Sequence, residues 1–177
     1  MSKSKWVVDA THSSIDFSIR HLMVSNVKGT FHSVAAEIEA DPEDLTSADI
    51  RFTVDLDSID TRNQDRDNHL RTADFFEIEK YPQMTFIASK IDKSSQGEYE
   101  VAGDLSLHGV TRPEKFHIVY EGIAKDPWGN EKAGFSGKGN INRSDYGLTY
   151  NAILETGGFM VGDQVKISIE LEALKQA

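Results

Sequence analysis

The feature that most constrains this chain is an alternation of apolar and polar residues with a period of two. A period of two is typical of a β-strand that has one buried side and one solvent-facing side. The apolar positions form eight runs: Ile15 to Ile19, Phe31 to Ile38, Ile50 to Leu56, Met84 to Ala88, Tyr99 to Leu107, Phe116 to Tyr120, Ala133 to Ile141 and Val165 to Leu171. The run from Phe31 to Ile38 slips once in its alternation, which predicts a bulge.

Short turn sequences separate several of these runs. Turn chemistry is present in KSSQG (93–97), DPWGN (126–130) and HGVT (108–111). Short links predict antiparallel neighbours. Because the strands share one apolar face and the chain has too few amphipathic helices to cover it, the sheet is expected to close on itself. The sequence therefore predicts one all-β domain over residues 1–177, an eight-stranded antiparallel β-barrel with one short helix between strands.

That helix is predicted over 66–76, RDNHLRTADFF. Thr61 and Gln64 have the spacing of a capping box, and Asp67 precedes Arg71 by four residues, the favourable order for an ion pair on a helix. The apolar residues at spacings of three would form a thin stripe towards the barrel: Leu70, Ala73 and Phe76.

Composition and charge exclude several classes of function. The formal net charge of −10 argues against binding to nucleic acid and against electrostatic docking on anionic lipid. The chain has no Cys, which excludes disulfides and thiolate chemistry. The first residues contain no apolar run long enough for a signal peptide or a membrane span. We therefore expect a cytoplasmic protein that does not insert into membranes.

The search for chemistry predicts no catalytic residue and no metal site. The six His residues never occur at spacings that present two ligands together, although distant ones could converge. His69, with Asp65 or Asp74, has the residue types of an acid–base pair, but a helix rich in charged partners is more often simply solvated. A third alternative is that Arg66, His69 and Arg71 contact the polar head of a ligand whose tail enters the barrel.

Three inward positions of the alternation are glycines, namely Gly103, Gly137 and Gly139. Glycines bend strands at barrel corners. The alternative is that the missing side chains leave a lumen. The pattern alone favours bending.

Five blocks of the sequence resemble the YceI-like family. They lie at 11–31, 58–86, 103–113, 125–135 and 142–151, and they run in order along nearly the whole chain. The resemblance implies a lipocalin-like barrel, partly closed by a helix and loops. It also implies a long-chain amphipathic ligand, a polyisoprenoid, isoprenoid quinone or fatty-acid-like molecule, with no further cofactor. Homodimers and a role in stress responses are implied as well, whereas no catalytic residue carries over.

The resemblance favours a real lumen over a filled barrel. Alternation predicts that its lining includes Phe17, Ile19, Phe31, Phe52, Phe86, Leu105, Phe116, Phe135 and Ile141. The mouth is expected to include Met23, the 66–76 helix and the glycine-rich loop 157–162. Carriage, storage or sequestration of a lipid is the favoured function. The alternatives are an enzyme that uses His69 with a nearby carboxylate, and a structural protein with a filled barrel.

Overall fold

The computed structural model describes residues 3–151 and 160–176. Its strands form a single antiparallel sheet that closes into a barrel. Its strands are β1 (Ser4–Val8), β2 (Ser14–His21), β3 (Ser25–Phe31), β4 (Val34–Asp41), β5 (Asp44–Asp55), β6 (Ile59–Asp60), β7 (Gln83–Ser95), β8 (Glu98–Leu107), β9 (Val110–Lys125), β10 (Glu131–Asn142) and β11 (Val161–Lys175). One α-helix, α1 (Gln64–Leu70), and three short 3₁₀ turns complete the described elements. Among the described residues, no helix is both long and apolar enough to cross a bilayer.

The barrel closes because one edge of β11 pairs with two strands in succession. The part of β11 from Val161 to Glu170 pairs with β2, and the part from Ala173 to Lys175 pairs with β1. β3 pairs with β2 and β4 pairs with β1, so β3 and β4 share the next position around the barrel. In the same way β6 pairs with β3 and β5 pairs with β4, so β6 and β5 share the position after that. The eleven strands therefore occupy eight positions around the barrel, which confirms the predicted eight-stranded antiparallel fold.

Two details of the prediction need correction. The eight alternating runs did not include β1, whose five residues are too short to show a clear period. The predicted bulge in the run from Phe31 to Ile38 is a complete break between β3 and β4. There, the amide of Ser33 donates to the Ser58 hydroxyl, 3.0 Å away, instead of continuing the ladder. The three predicted hairpin turns are present where expected.

The helix is shorter than predicted and is capped by a different residue. Asn63, rather than Thr61, is the N-cap, and its side chain accepts a hydrogen bond from the amide of Arg66 at 3.0 Å. The helix ends at Leu70, and turns replace it through the rest of 66–76. The predicted Asp67–Arg71 pair is replaced by other bonds, because buried Asp67 accepts from both the amide and the hydroxyl of Thr61.

The glycines of the inner face make room for neighbouring atoms rather than for a lumen. A Cβ at Gly137 would lie 2.6 Å from Ile118 Cδ1, and one at Gly139 would lie 2.5 Å from Phe116 Cδ1. A Cβ at Gly103 would collide with the carbonyl oxygen of Ile87, beside a register shift between β7 and β8. Close approach at a bulge therefore explains Gly103, and side chains of Ile118 and Phe116 occupy the space beside Gly137 and Gly139.

The barrel end away from α1 is closed by side chains. Trp6 is buried against Ala133 and Ala173, and its indole Nε1 donates to the carbonyl of Ala40 at 3.2 Å. Tyr99 is buried nearby, and its hydroxyl donates to the carbonyl of Glu43 at 3.4 Å. Each of these rings covers apolar area while its polar atom keeps a partner, so this end needs no helix or lid.

Substitution of Gly103 tests the close approach between β7 and β8. Gly103→Ala should lower the free energy of unfolding by about 2 kcal/mol, because the new methyl group meets backbone that cannot rotate away. Denaturant unfolding followed by circular dichroism measures the change. Gly134→Ala is the control, since its Cβ would lie 3.5 Å from Glu121 Cβ in ordinary contact. Equal losses in the two variants would contradict the explanation.

Candidate ligand-binding site

The inner face of the barrel surrounds a cavity with two adjoining chambers. The inner chamber, at the Trp6 end of the barrel, has a volume of about 100 Å³, and the outer chamber, beside α1, has a volume of about 210 Å³. Ile15, Met84 and Ile167 contribute to the walls of both. A cavity of only about 10–15 Å³ holds one water molecule, so both chambers have room for parts of an organic ligand.

The predicted lumen residues all lie on the cavity wall. The inner chamber is lined by Phe52, Phe86, Leu105, Phe116 and Phe135. The outer chamber is lined by Phe17, Ile19, Phe31 and Ile141. Contact of these side chains with a ligand stays a prediction.

The predicted mouth residues are placed less uniformly. Met23 lies outside the cavity wall, on an exposed hairpin tip at the α1 end of the barrel. Leu70 and Phe76 of the 66–76 segment line the outer chamber, whereas Ala73 is exposed. Residues 157–159 of the predicted loop lie outside the described residues, and Met160 and Val161 line the outer chamber.

Polarity changes sharply from one chamber to the other. Apart from Thr85 and Ser136, the inner chamber is lined by aliphatic and aromatic residues. Within the described parts of the chain, the outer chamber adds seven residues with polar or ionisable side chains: Arg20, His21, Thr61, Arg66, His69, Arg143 and Tyr150. The cavity is therefore amphipathic along its length, with an apolar closed end and a polar, mostly basic end beside α1.

The three predicted head-group residues have different surroundings. Arg66 lines the outer chamber, but its guanidinium already donates to the hydroxyl and the carbonyl of Thr61, at 2.8 and 2.6 Å. Arg71 is not part of the cavity wall; its Nε lies 2.9 Å from Asp57 Oδ1, and its Nη2 donates to the Asp57 carbonyl. His69 is the member of the three with its ring among the aromatic residues of the mouth.

His69 contacts one of the two carboxylates that the sequence raised as its partners. Its Nε2 lies 2.8 Å from Asp74 Oδ2, so Asp74 rather than Asp65 is the partner. The imidazole packs edge-on against Phe75 and Tyr150, with 5.1 Å between ring centroids in each case. The arrangement fixes the ring at the edge of the outer chamber, where it can meet the polar part of a ligand.

Arg143 is one of the polar wall residues that sequence reasoning missed, with Arg20, His21, Thr61 and Tyr150. It is buried, and its guanidinium donates to the carbonyls of Leu148 (2.7 Å), Tyr150 (2.9 Å) and Gly162 (2.8 Å). Burial lowers the pKa of Arg143, and the charge of Asp163 partly opposes that shift. The alternation held a signal for this residue, because a cation stands two positions after inward-facing Ile141.

One cluster outside the barrel has ligand types for a metal ion. Asp9, His12 and Glu172 converge on the outer surface from distant parts of the sequence. The hydrogen bond from His12, followed by that from Thr11, holds the pKa of Asp9 well below its usual range. Lys132 Nζ already lies 3.5 Å from Asp9 and 3.3 Å from Glu172, so an ammonium group neutralises these carboxylates. The cluster is better explained as an ion-pair network than as a metal centre.

The fold and the cavity define a class of protein, a single-domain antiparallel β-barrel with an amphipathic interior of ligand size. The sequence profile of the YceI-like domain matches residues 6–173. A UPF0312 protein of Staphylococcus epidermidis is 44% identical over 170 residues, which cover 96% of each chain. The chain therefore belongs to the YceI-like family, and the resemblance found in the sequence is confirmed.

Solved structures agree with this assignment. The YceI protein of Campylobacter jejuni is 36% identical, with a TM-score of 0.77 over 89% of this chain and 90% of that one. A polyisoprenoid-binding domain of Saccharophagus degradans, implicated in plant cell wall breakdown, has a TM-score of 0.73 over 98% of this chain and 99% of that one. At 16% identity the second likeness shows a shared fold and nothing finer.

Removal of the Arg143 guanidinium tests its role in holding the mouth together. Arg143→Ala should lower the free energy of unfolding by about 3 kcal/mol, because several buried carbonyls lose a charged donor. Urea unfolding monitored by circular dichroism measures the loss. Arg112→Ala, at an exposed position, should change stability by less than about 0.5 kcal/mol. A similarly small change in the Arg143 variant would contradict the assignment.

Proposed function

We propose that this protein binds one long-chain amphipathic lipid, with the chain in the barrel and the polar head at the α1 end. The observation that carries the proposal is the polarity gradient of the cavity. The inner chamber offers almost no hydrogen-bonding side chain, so it suits hydrocarbon. The outer chamber ends at His21 and His69, whose ring nitrogens suit an oxygen-rich head.

The barrel has the dimensions for such a ligand. β10 has 12 residues, which at about 3.3 Å per residue and a tilt of about 40° gives a height of roughly 30 Å. One bilayer leaflet contains about 15 Å of hydrocarbon, so the interior is long enough for an extended chain. Each methylene removed from water contributes about 0.8 kcal/mol before ordering costs are subtracted. Affinity would therefore come chiefly from chain length.

The comparisons support this class of ligand. The structure from Saccharophagus degradans that shares the barrel is a polyisoprenoid-binding domain. Among long-chain lipids, a polyisoprenoid or isoprenoid quinone fits the many aromatic wall residues, while a fatty-acid-like chain fits the same length. We propose carriage or sequestration of such a molecule as the role. The cytoplasmic location, the homodimer and the link to stress stay predictions.

We also propose that the ligand is bound without being chemically changed. His69 and Asp74 are the residues that favour the alternative, because their 2.8 Å contact lies at the edge of the outer chamber. Both side chains are about half exposed, and Phe75 and Tyr150 pack against the imidazole. Such surroundings suit a hydrogen bond to a ligand head as well as they suit proton transfer.

Mass analysis of the bound lipid tests whether the lumen is the binding site. The wild-type protein, incubated with a long-chain polyprenol and examined by native mass spectrometry, should carry one lipid adduct. Phe52→Asp should lose at least about 90% of the adduct, because a carboxylate on the inner chamber wall would have to be desolvated by the chain.

The matched control for this experiment is Ile87→Asp. Ile87 lies on β7 opposite Arg51, beside Phe52 in β5, but it is exposed on the outer surface. That variant should bind like the wild type. Because a buried charge also threatens folding, Ile169→Phe supplies a second test that fills the inner chamber without charge. A full lipid adduct in folded Phe52→Asp and Ile169→Phe variants would show that the chain lies elsewhere.

Recovery of the ligand tests binding against turnover. Extracted polyprenol or quinone should have an unchanged mass after prolonged incubation with the wild-type protein. His69→Ala should lower affinity several-fold through the lost polar contact, without altering the composition of the extract. Conversion of the ligand by the wild type that is absent in His69→Ala would establish the enzymatic alternative instead.

A further inference from the structure

The turn between β2 and β3 exposes three consecutive apolar side chains. Leu22, Met23 and Val24 are 41%, 61% and 78% exposed. The turn stands at the α1 end of the barrel, where His21, directly before it, lines the outer chamber. The apolar tip is therefore continuous with the polar end of the cavity.

Backbone geometry makes this tip an unusual place for apolar residues. The amide of Val24 donates to the carbonyl of His21 at 3.2 Å, which closes the turn. Leu22 and Met23 have φ of 53° and 60°, the conformation for which turns of this type favour Asn-Gly. The turn between β8 and β9 shows the usual solution, with Gly109 as its second positive-φ residue. Leu22 and Met23 thus occupy strained positions although both side chains are exposed.

Two contacts hold the tip outwards. Arg20 Nη2 donates to the carbonyl of Met23 at 2.7 Å, and the amide of Leu22 donates to the carbonyl of Met160 at 2.7 Å. The first contact fixes the carbonyl of Met23 within the turn. The second joins the turn to Met160, the residue directly before β11. The three apolar side chains are presented by a braced hairpin.

The stretch of chain that forms the hairpin has a formal charge opposite in sign to that of the rest of the protein. Residues 17–36 contain no Asp or Glu, the longest such stretch in the chain. This stretch carries a formal charge of +2 from Arg20 and Lys28, so the rest of the chain, which totals −10, carries −12. Both cations are exposed. The net charge argued against electrostatic attraction to anionic lipid, but the two exposed cations of this hairpin favour that attraction locally.

We propose that the β2–β3 hairpin docks the α1 end of the barrel on a lipid bilayer surface. The side chains of Leu22, Met23 and Val24 enter the headgroup boundary, and Arg20 and Lys28 face the lipid phosphates. Apolar residues flanked by cations are the pattern by which peripheral proteins lie at this interface. The inference deepens the proposed function and rests on it, since docking would place the outer chamber against the source of a long-chain lipid.

Vesicle co-sedimentation tests the docking surface. The full chain should sediment with vesicles of equal parts phosphatidylcholine and phosphatidylglycerol. The triple variant Leu22→Asn, Met23→Gly, Val24→Ser removes the apolar tip while giving the turn its preferred residues. Its vesicle affinity should fall by about tenfold or more, since binding scales with buried apolar area. Its melting temperature should equal or exceed that of the wild type, a result that loss of a merely structural contact would not give.

Trp128→Ser is the control for exposed apolar area. Trp128 is 84% exposed, in the turn between β9 and β10 at the opposite end of the barrel. Its removal should leave vesicle binding unchanged. The proposal is overturned if the wild type does not bind the vesicles, if the triple variant binds as well as the wild type, or if Trp128→Ser removes binding.

Uptake of farnesol from aqueous solution separates this proposal from the proposed function. The triple variant should take up farnesol as the wild type does, because its cavity wall is intact, while its extraction of polyprenol from vesicles should be slower. Vesicle binding by a wild-type protein that takes up neither molecule would leave the docking surface standing and overturn lipid binding in the lumen. Farnesol uptake without vesicle binding would leave lipid binding in the lumen standing and overturn the docking surface.

Discussion

The structure depends on the edge of β11, which pairs with β2 along one part and with β1 along the other. A sheet edge left open would present unpaired amides and carbonyls to water or to another chain. By sharing one edge between two strands, the protein closes its barrel and leaves only the turn of the β2–β3 hairpin beyond the paired wall. One end of the barrel is sealed around Trp6, and α1 and the hairpin lie at the other end.

The separation of the two ends explains why the cavity is amphipathic. Side chains on the inner face of the barrel near Trp6 are shielded from water. The inner chamber is therefore lined almost only by hydrocarbon side chains. At the α1 end, side chains bond several backbone groups directly. Arg143 donates to the carbonyls of Leu148, Tyr150, Val161 and Gly162, and the backbone amide and carbonyl of Thr61 are bonded by the side chains of Asp67 and Arg66. Polar groups gather there because the sheet ends there, and a ligand with one polar end would match that distribution.

Alternation predicted the wall of the cavity well, because a strand side chain on one face stays on that face for the length of the strand. Nine predicted lumen residues, such as Phe17 and Phe135, line the chambers for this reason. The prediction was poorer where contacts between distant segments decide the structure. The extent of α1 depends on Asn63 and on the turn chemistry after Leu70. Arg71, grouped in the sequence with Arg66 and His69, is drawn away by Asp57.

The sequence by itself determined the barrel, its eight positions and its antiparallel order, because a period of two and the turn residues are local properties, and five sequence blocks indicated the family. Tertiary structure alone decided which atoms lie beside the inward-facing glycines. Gly103, Gly137 and Gly139 each accommodate atoms of a neighbouring strand. It alone decided that Arg143 organises the mouth, and that His69 pairs with Asp74 rather than Asp65. It also placed Met23 outside the cavity, on an exposed tip. The physical reason is the same in each case: a partner from another part of the chain sets the role of the side chain, and the spacing of residues along one strand or helix does not specify that partner.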